Sequence, residues 1–303
     1  MRKASRVLVA CLIASLAPSP AFAWGSAAHR YITRRAIDLL PPELKPFFEH
    51  HRDEIVLRST DPDVWRTAGW EDDPNHFINF GVPEFGPYPF TALPRDLGAA
   101  IEKFGTATLR KDGMLPWRAQ EEFGNLRRAF EGFTRHAGYA PGDVVLFAAV
   151  AAHYVQDAGQ PLHATTNYDG QLTGQYGVHS RFESALFERF ESKMTITPAA
   201  PAAIANIRDE MFDILLKSYR LVDPVLAADK AAIAGKDTYD DAYFDAFFAG
   251  VRPVIERQLA ASITRTAALW LSAWEQAGRP AVAITMPRTP QKGRTPGAPR
   301  GGR

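Results

Sequence analysis

The stretch that decides the fold is Asp143-Val-Val-Leu-Phe-Ala-Ala-Val-Ala-Ala-His153-Tyr-Val-Gln-Asp157-Ala-Gly-Gln-Pro-Leu-His163. From 144 to 156 it holds no glycine or proline and is apolar nearly all round, which predicts a helix buried on every side with Asp143 as its N-cap. Gly159 and Pro161 then stop it. A helix apolar all round needs other helices to cover it, and the flanking sequence supplies them. Apolar residues recur at helical spacing over 27–40, 97–104, 118–136, 179–193, 203–221 and 241–277. Strand-like alternation is almost absent. Between 55 and 94 the chain reads as a long irregular loop rich in Pro, Gly, Asp and aromatics. The expected class is all-α, a single helical domain with long irregular loops.

The chain has 303 residues, 46 % hydrophobic and 23 % charged, enough to bury a large core. No long apolar run follows the N-terminus, which excludes a polytopic membrane protein. The two ends read differently from the body. Residues 1–23 carry Arg2, Lys3 and Arg6, then an apolar stretch over 7–16, then Ala21-Phe22-Ala23, the pattern of a secretory signal. Cleavage after Ala23 makes Trp24 the new N-terminus and the protein secreted or periplasmic. Cys11, the one cysteine, leaves with that segment, so a disulfide, a cysteine nucleophile and a thiolate metal site are all excluded. Residues 286–303, rich in Pro, Gly and basic side chains, read as a disordered tail, leaving 24–285 as the folded body. The leader carries +3 and the tail +5 of a total of +1, which leaves −7 on the body. Such a body is a poor general trap for nucleic acid or anionic membrane.

Histidines and acids carry the chemistry. His153 and Asp157 lie four apart on the central helix and so point from one face, and His163 follows on the turn. Imidazole and carboxylate on one face suit a divalent ion such as zinc; a buried His–Asp hydrogen bond is the other reading. The spacing of four recurs at His179 and Glu183, and the repetition favours metal. His29 on the first helix, Asp61 and Asp63 in Asp-Pro-Asp, and His76 in Asp-Pro-Asn-His-Phe are weak signals singly. His50, His51 and His136 fall outside the pattern and read as surface. The aromatic loop 81–90 reads as packing on the core. No Gly-x-Ser-x-Gly elbow and no phosphate-binding loop of the Walker kind occurs.

Taken in order, Trp24, His29, Asp61, His76, His153-x3-Asp157-x5-His163 and His179-x3-Glu183 resemble the zinc-dependent phospholipase C superfamily, which also contains the single-strand-specific zinc nucleases. The resemblance spans residues 24–183. It implies an all-α fold holding three zinc ions. One would be bound by Asp61, His76, His153 and Asp157, a second by His163, His179 and Glu183. The third would be held by the α-amino nitrogen and carbonyl oxygen of Trp24, with His29 and a bridging Asp157. Asp61 is preferred to Asp63 because its fifteen-residue distance to His76 is closer to the family spacing. The implied activity is hydrolysis of phosphate esters by zinc-activated water, with Asp61 and then Glu183 as candidates to take the proton. Glu183 and the lack of disulfides resemble the phospholipases. Phe77 resembles the aromatic that stacks a base in the nucleases, and the acidic and aromatic residues that cradle choline in the phospholipases are not evident, with Ala27, Pro62 and Asp73 standing in their places. Phospholipase C is therefore the first expectation, with phospholipid as substrate and peripheral membrane contact. A nuclease acting on single-stranded RNA and DNA is the alternative, and a non-catalytic zinc-binding protein the second. No obligate protein partner is implied.

Overall fold

Helices dominate residues 24–286, which this computed structural model describes, and no strand occurs among them. In chain order they are α1 (Ser26–Asp38), α2 (Lys45–His50), α3 (Arg52–Arg58), α4 (Asp61–Thr67), α5 (Leu97–Phe104), α6 (Thr106–Asp112), α7 (Leu115–Thr134) and α8 (Ala140–Ala158). There follow the single turn α9 (Val178–Ser180), then α10 (Leu186–Phe190), α11 (Ile207–Tyr219), α12 (Val222–Ile233) and α13 (Asp241–Gln276). The class is all-α, as the periodicity indicates. No helix among these residues is long and apolar enough to cross a membrane. The expected leader, 1–23, and the tail beyond residue 286 lie outside the described residues.

The central helix is α8. Residues 148–158 of it are buried without interruption, and α7, α13, α3, α1 and α11 pack around it. Removing that much apolar side chain from water at about 25 cal/mol per Å² is the main favourable term holding the bundle. The helix begins at Ala140 rather than after Asp143. Pro141, whose fixed φ and missing N–H suit a first helical turn, moves the start upstream, and Asp143 sits inside that turn instead of capping it.

Three other expectations change. The 55–94 segment is not loop throughout: it holds the end of α3, all of α4 and short 3₁₀ turns at Asp73–His76 and Pro83–Phe85. The 179–193 helix is broken into α9, a π-helical turn at Arg181–Ala185, α10 and a 3₁₀ turn. The 203–221 helix starts later, where Asn206 accepts a hydrogen bond from the Asp209 N–H at 3.2 Å. Loop 81–90 packs on the core as expected. Phe85 and Phe90 are buried, and Phe90 stacks on Phe80 with centroids 4.6 Å apart. His50 and His136 are exposed, while His51 is half-buried against Phe47.

Residues 77–80, which follow the 3₁₀ turn that carries His76, have no regular structure, so other segments must satisfy their backbone. On one side Asn79 N–H donates to Asp112 O at 2.7 Å, and Met114 and Leu115 N–H donate to Pro74 O and Phe77 O at 2.6 and 3.2 Å. On the other, Ile78 N–H donates to His163 O at 2.8 Å and Thr166 N–H to Phe80 O at 3.0 Å. Gly113 permits this approach. Its φ is +104°, and a Cβ there would lie 2.1 Å from Phe77 O. Gly105 has a similar φ of +79° but open space around it. Denaturant unfolding should therefore separate them: Gly105→Ala should cost about 1 kcal/mol for φ strain, and Gly113→Ala clearly more.

Candidate metal centre

Five histidines and three acids converge from α1, α4, α8, α9, the π turn and the 3₁₀ turns at Asp73–His76 and Pro161–Ala164. Three groups place one donor atom from each member within 4.8 Å of the others: His29, His153 and Asp157; Asp63, His76 and His153; His163, His179 and Glu183. All are buried. The spacing of four does what the sequence suggests: His153 Nε2 lies 3.3 Å from Asp157 Oδ2, and His179 Nε2 lies 2.8 Å from Glu183 Oε2.

Each imidazole is held from behind by an acceptor, which fixes where its ring proton sits. His153 Nδ1–H donates to Ser59 O at 2.8 Å and His179 Nδ1–H to Tyr168 O at 3.0 Å. His163 Nδ1–H donates to the carbonyl of His76. His29 Nδ1–H donates to Gln156 Oε1 at 2.6 Å; the Gln156 amide is oriented by donating to Thr33 and Thr266. His76 Nε2–H donates at 3.0 Å to Asp72, which also accepts from Tyr154 OH and Asn75.

The inner nitrogens are then lone pairs, and they face one another. His153 Nε2 and His76 Nδ1 are 3.1 Å apart, as are His163 Nε2 and His179 Nε2. Asp157 Oδ2 stands 3.0 Å from His76 Nδ1, and Asp157 Oδ1 3.3 Å from His29 Nε2. His29 Nε2, both oxygens of Asp63, Asp157 Oδ1 and Glu183 Oε1 are buried with no hydrogen-bond donor. Acceptors at this separation repel unless a cation lies between them. The donor set, imidazole nitrogen and carboxylate oxygen without sulfur, suits a divalent ion such as zinc, and the residues fit one.

Proton equilibria reflect the same demand for positive charge. Burial opposes charge on His76, but the Asp157 and Asp72 carboxylates overrule it and raise its pKa to about 9, so its Nδ1 takes up positive charge, as a proton or as a metal ion. Burial also opposes charge on Asp157, yet His153, His29 and His76 keep its carboxyl well below the usual range. Burial pushes Glu183 up and His163 well down.

Of the residues expected from sequence, His29, His76, His153, Asp157, His163, His179 and Glu183 are all brought to the centre. Asp61 is not. It turns outward and pairs with Arg58 at 3.4 Å, while Asp63 is buried, with Oδ1 3.9 Å from His76 Nδ1 and 4.0 Å from His153 Nε2. The two acids lie in the first turn of α4, where positions two apart point about 200° apart, so only one can face inward. Asp63 takes the place expected of Asp61. Trp24 is buried at the head of α1 against Phe182. Its neighbour Gly25 lies so close to Ser184 that a Cβ would sit 2.3 Å from the hydroxyl, which brings the chain there against the π turn of Glu183.

A cavity of about 510 Å³ opens on the centre, lined by His76, His163 and His179 with Phe77, Asn79, Lys111, Leu162 and Tyr168 among others. Phe77 is half-buried in its wall. Asn79 Oδ1 is buried without a donor. Sequence reading missed Asn79, Lys111 and Tyr168, and also the supports Asp72, Tyr154, Gln156 and Gln160. The Gln160 amide donates to Glu183 Oε2 at 3.0 Å. No family model matches the chain, and no curated protein matches its sequence.

Asp63→Asn should weaken zinc retention against a chelator at least about tenfold, while Asp61→Asn should leave it unchanged. Removing bound metal should lower the unfolding free energy by about 2.7 kcal/mol for each ion held at a hundred times its Kd, read as a fall in Tm that added zinc reverses.

Proposed function

We propose that the chain is a secreted zinc-dependent hydrolase of phosphate diesters, most similar to phospholipase C, holding three zinc ions. The observation that carries this reading is the set of inward lone pairs on five imidazoles and three buried carboxylates beneath one cavity. Asp63, His76, His153 and Asp157 would hold one ion and His163, His179 and Glu183 a second. His29 and Asp157 would hold the third with the Trp24 amine and carbonyl, once cleavage after Ala23 has freed that nitrogen. Those residues would give zinc the setting in which, when bound, it would supply Lewis-acid polarisation of a phosphoryl oxygen and a water acidified from a pKa of about 16 to about 7.

The remaining roles fall to the chain. Asp63 replaces Asp61 as the candidate to take the proton of the attacking water, because Asp61 is turned away to Arg58; Glu183 is second. A carboxylate in that role is worth about 10²–10⁴ in rate. The Lys111 ammonium offers a charge to a phosphate oxygen at the cavity wall. Leu162, Phe77 and Tyr168 supply the apolar surface that keeps a bound ester away from bulk water. The nuclease reading draws on two observations: Phe77 and Tyr168 present ring surface to the cavity, and Asn79 Oδ1 needs a donor such as a base amide or amine.

The test incubates zinc-loaded protein beginning at Trp24 with phospholipid vesicles and, in parallel, with single-stranded DNA and RNA. Release of phosphorylated head groups, leaving diacylglycerol, is the expected result, and Asp63→Asn should lower it at least about 10²-fold. Nucleotide release alone would make the protein a nuclease. No turnover on any of the three, with zinc bound, would make it a zinc-binding protein without that activity.

A further inference from the structure

The π turn carries a second set of polar groups that face away from the metal centre. Arg181, between His179 and Glu183 in sequence, is buried with its guanidinium against Asp229 of α12. Its Nη2 and Nε lie 3.0 and 3.3 Å from Asp229 Oδ1, and Nε also donates to Tyr243 OH of α13 at 2.9 Å. Tyr243 OH donates to the same Asp229 oxygen. The ring of Tyr239 covers the guanidinium at 4.0 Å. The other Asp229 oxygen accepts from Gln175 Nε2 at 2.7 Å.

Arg181 also grips the loop that leads into α9. Nη1 donates to Tyr176 O at 2.7 Å and Nη2 to Gln175 O at 3.2 Å. That loop is folded on itself: Gln175 N–H donates to Gly170 O at 2.9 Å, Leu172 N–H to Asn167 Oδ1 at 2.8 Å, and Gln171 Nε2 to Thr166 O at 2.7 Å. Fixing residues 175 and 176 therefore fixes Tyr168 and Asp169. These two hold His179: Tyr168 O accepts from its Nδ1–H at 3.0 Å, and Asp169 Oδ1 accepts from its backbone N–H at 3.4 Å.

We propose that Arg181 and Asp229 are positioning residues for the His163–His179–Glu183 metal group, setting the His179 ring through the 167–177 loop and tying the π turn to α12 and α13. The physical motive is cost. A buried ion pair adds little net stability, because desolvation offsets most of its attraction, whereas it fixes geometry with directional bonds that apolar packing lacks. Here it supplies a carboxylate and two carbonyls with donors and holds a three-residue helical turn that could not hold itself. The other two metal groups draw on α1, α4, α8 and the 76–80 segment and receive none of these bonds.

This inference rests on the metal reading above, and the experiment separates the two. Wild type, Asp229→Asn and Tyr243→Phe are loaded with zinc and titrated with graded chelator, counting the equivalents retained, and the cobalt-substituted proteins are compared by their visible spectra. In both variants one equivalent should be lost at 10- to 100-fold less chelator, with Tyr243→Phe the milder, while the other two are retained as in wild type and the cobalt bands of one ion alone shift. Three equivalents weakened in parallel with a fall in Tm would mean a general structural role and overturn the proposal, as would unchanged retention. A wild type that retains no metal would instead overturn the metal reading itself.

Discussion

Asp157 has no contact with solvent, yet its oxygens face three imidazoles: Oδ1 toward His29, Oδ2 toward His76 and His153. A carboxylate in so dry a position is tolerable only where positive charge is held against it. The arrangement of α8 follows from that constraint. Its apolar faces bury it in the bundle, and burial makes the stripe bearing His153, Gln156 and Asp157 rigid enough to keep lone pairs at about 3 Å from one another. A looser helix would let the acceptors swing apart, and the need for a cation would vanish with the strain.

The same logic explains why the imidazoles are braced from behind. Ser59, His76 and Tyr168 contribute backbone carbonyls, and Gln156 and Asp72 contribute side-chain oxygens. An imidazole can point a lone pair inward only while its other nitrogen keeps the proton, so each brace sets a tautomer as well as an angle. Three of the five braces are main-chain atoms, which substitution of their own side chains cannot remove directly.

How much of this could be read from residue order depends on the distance over which each part is determined. The all-α class and the long helices were legible because the 3.6-residue period of apolar side chains is local. So were His153 with Asp157 and His179 with Glu183, since a spacing of four has one meaning on a helix. His29 and His76 were weak signals singly and gained weight only through the resemblance, although His76 has a local partner in Asp72, four residues before it. Asp63 was passed over because the fifteen-residue distance from Asp61 to His76 is closer to the family spacing, and the segment read as loop gave no face to tell the two acids apart. Yet Pro62 stands in the first turn of α4, a position proline favours, and a helix starting there sends Asp61 and Asp63 to different faces. The short helices α2 and α6, of six and seven residues, and the longer α12 also escaped the reading. The most distant braces left no local mark in the sequence: Ser59 meets His153 across ninety-four residues and Gln156 meets His29 across 127.

The groups are also unequally connected. The 76–80 segment carries His76 of one group and, through its carbonyl, orients His163 of another, while Ile78 N–H returns a bond to His163 O. Asp157 joins the His29 group to the His76 group. An ion that orders Asp157 in the His29 group therefore reduces the ordering cost in the His76 group, and those two groups should favour joint occupancy. His179 and Glu183 stand apart from this linkage. Their supports come from the 167–177 loop, Gln160 and the Arg181–Asp229 pair. The third group thus has one ligand, His163, inside the shared frame and two outside it, so its geometry can be altered from the α12–α13 side while the other two stay intact.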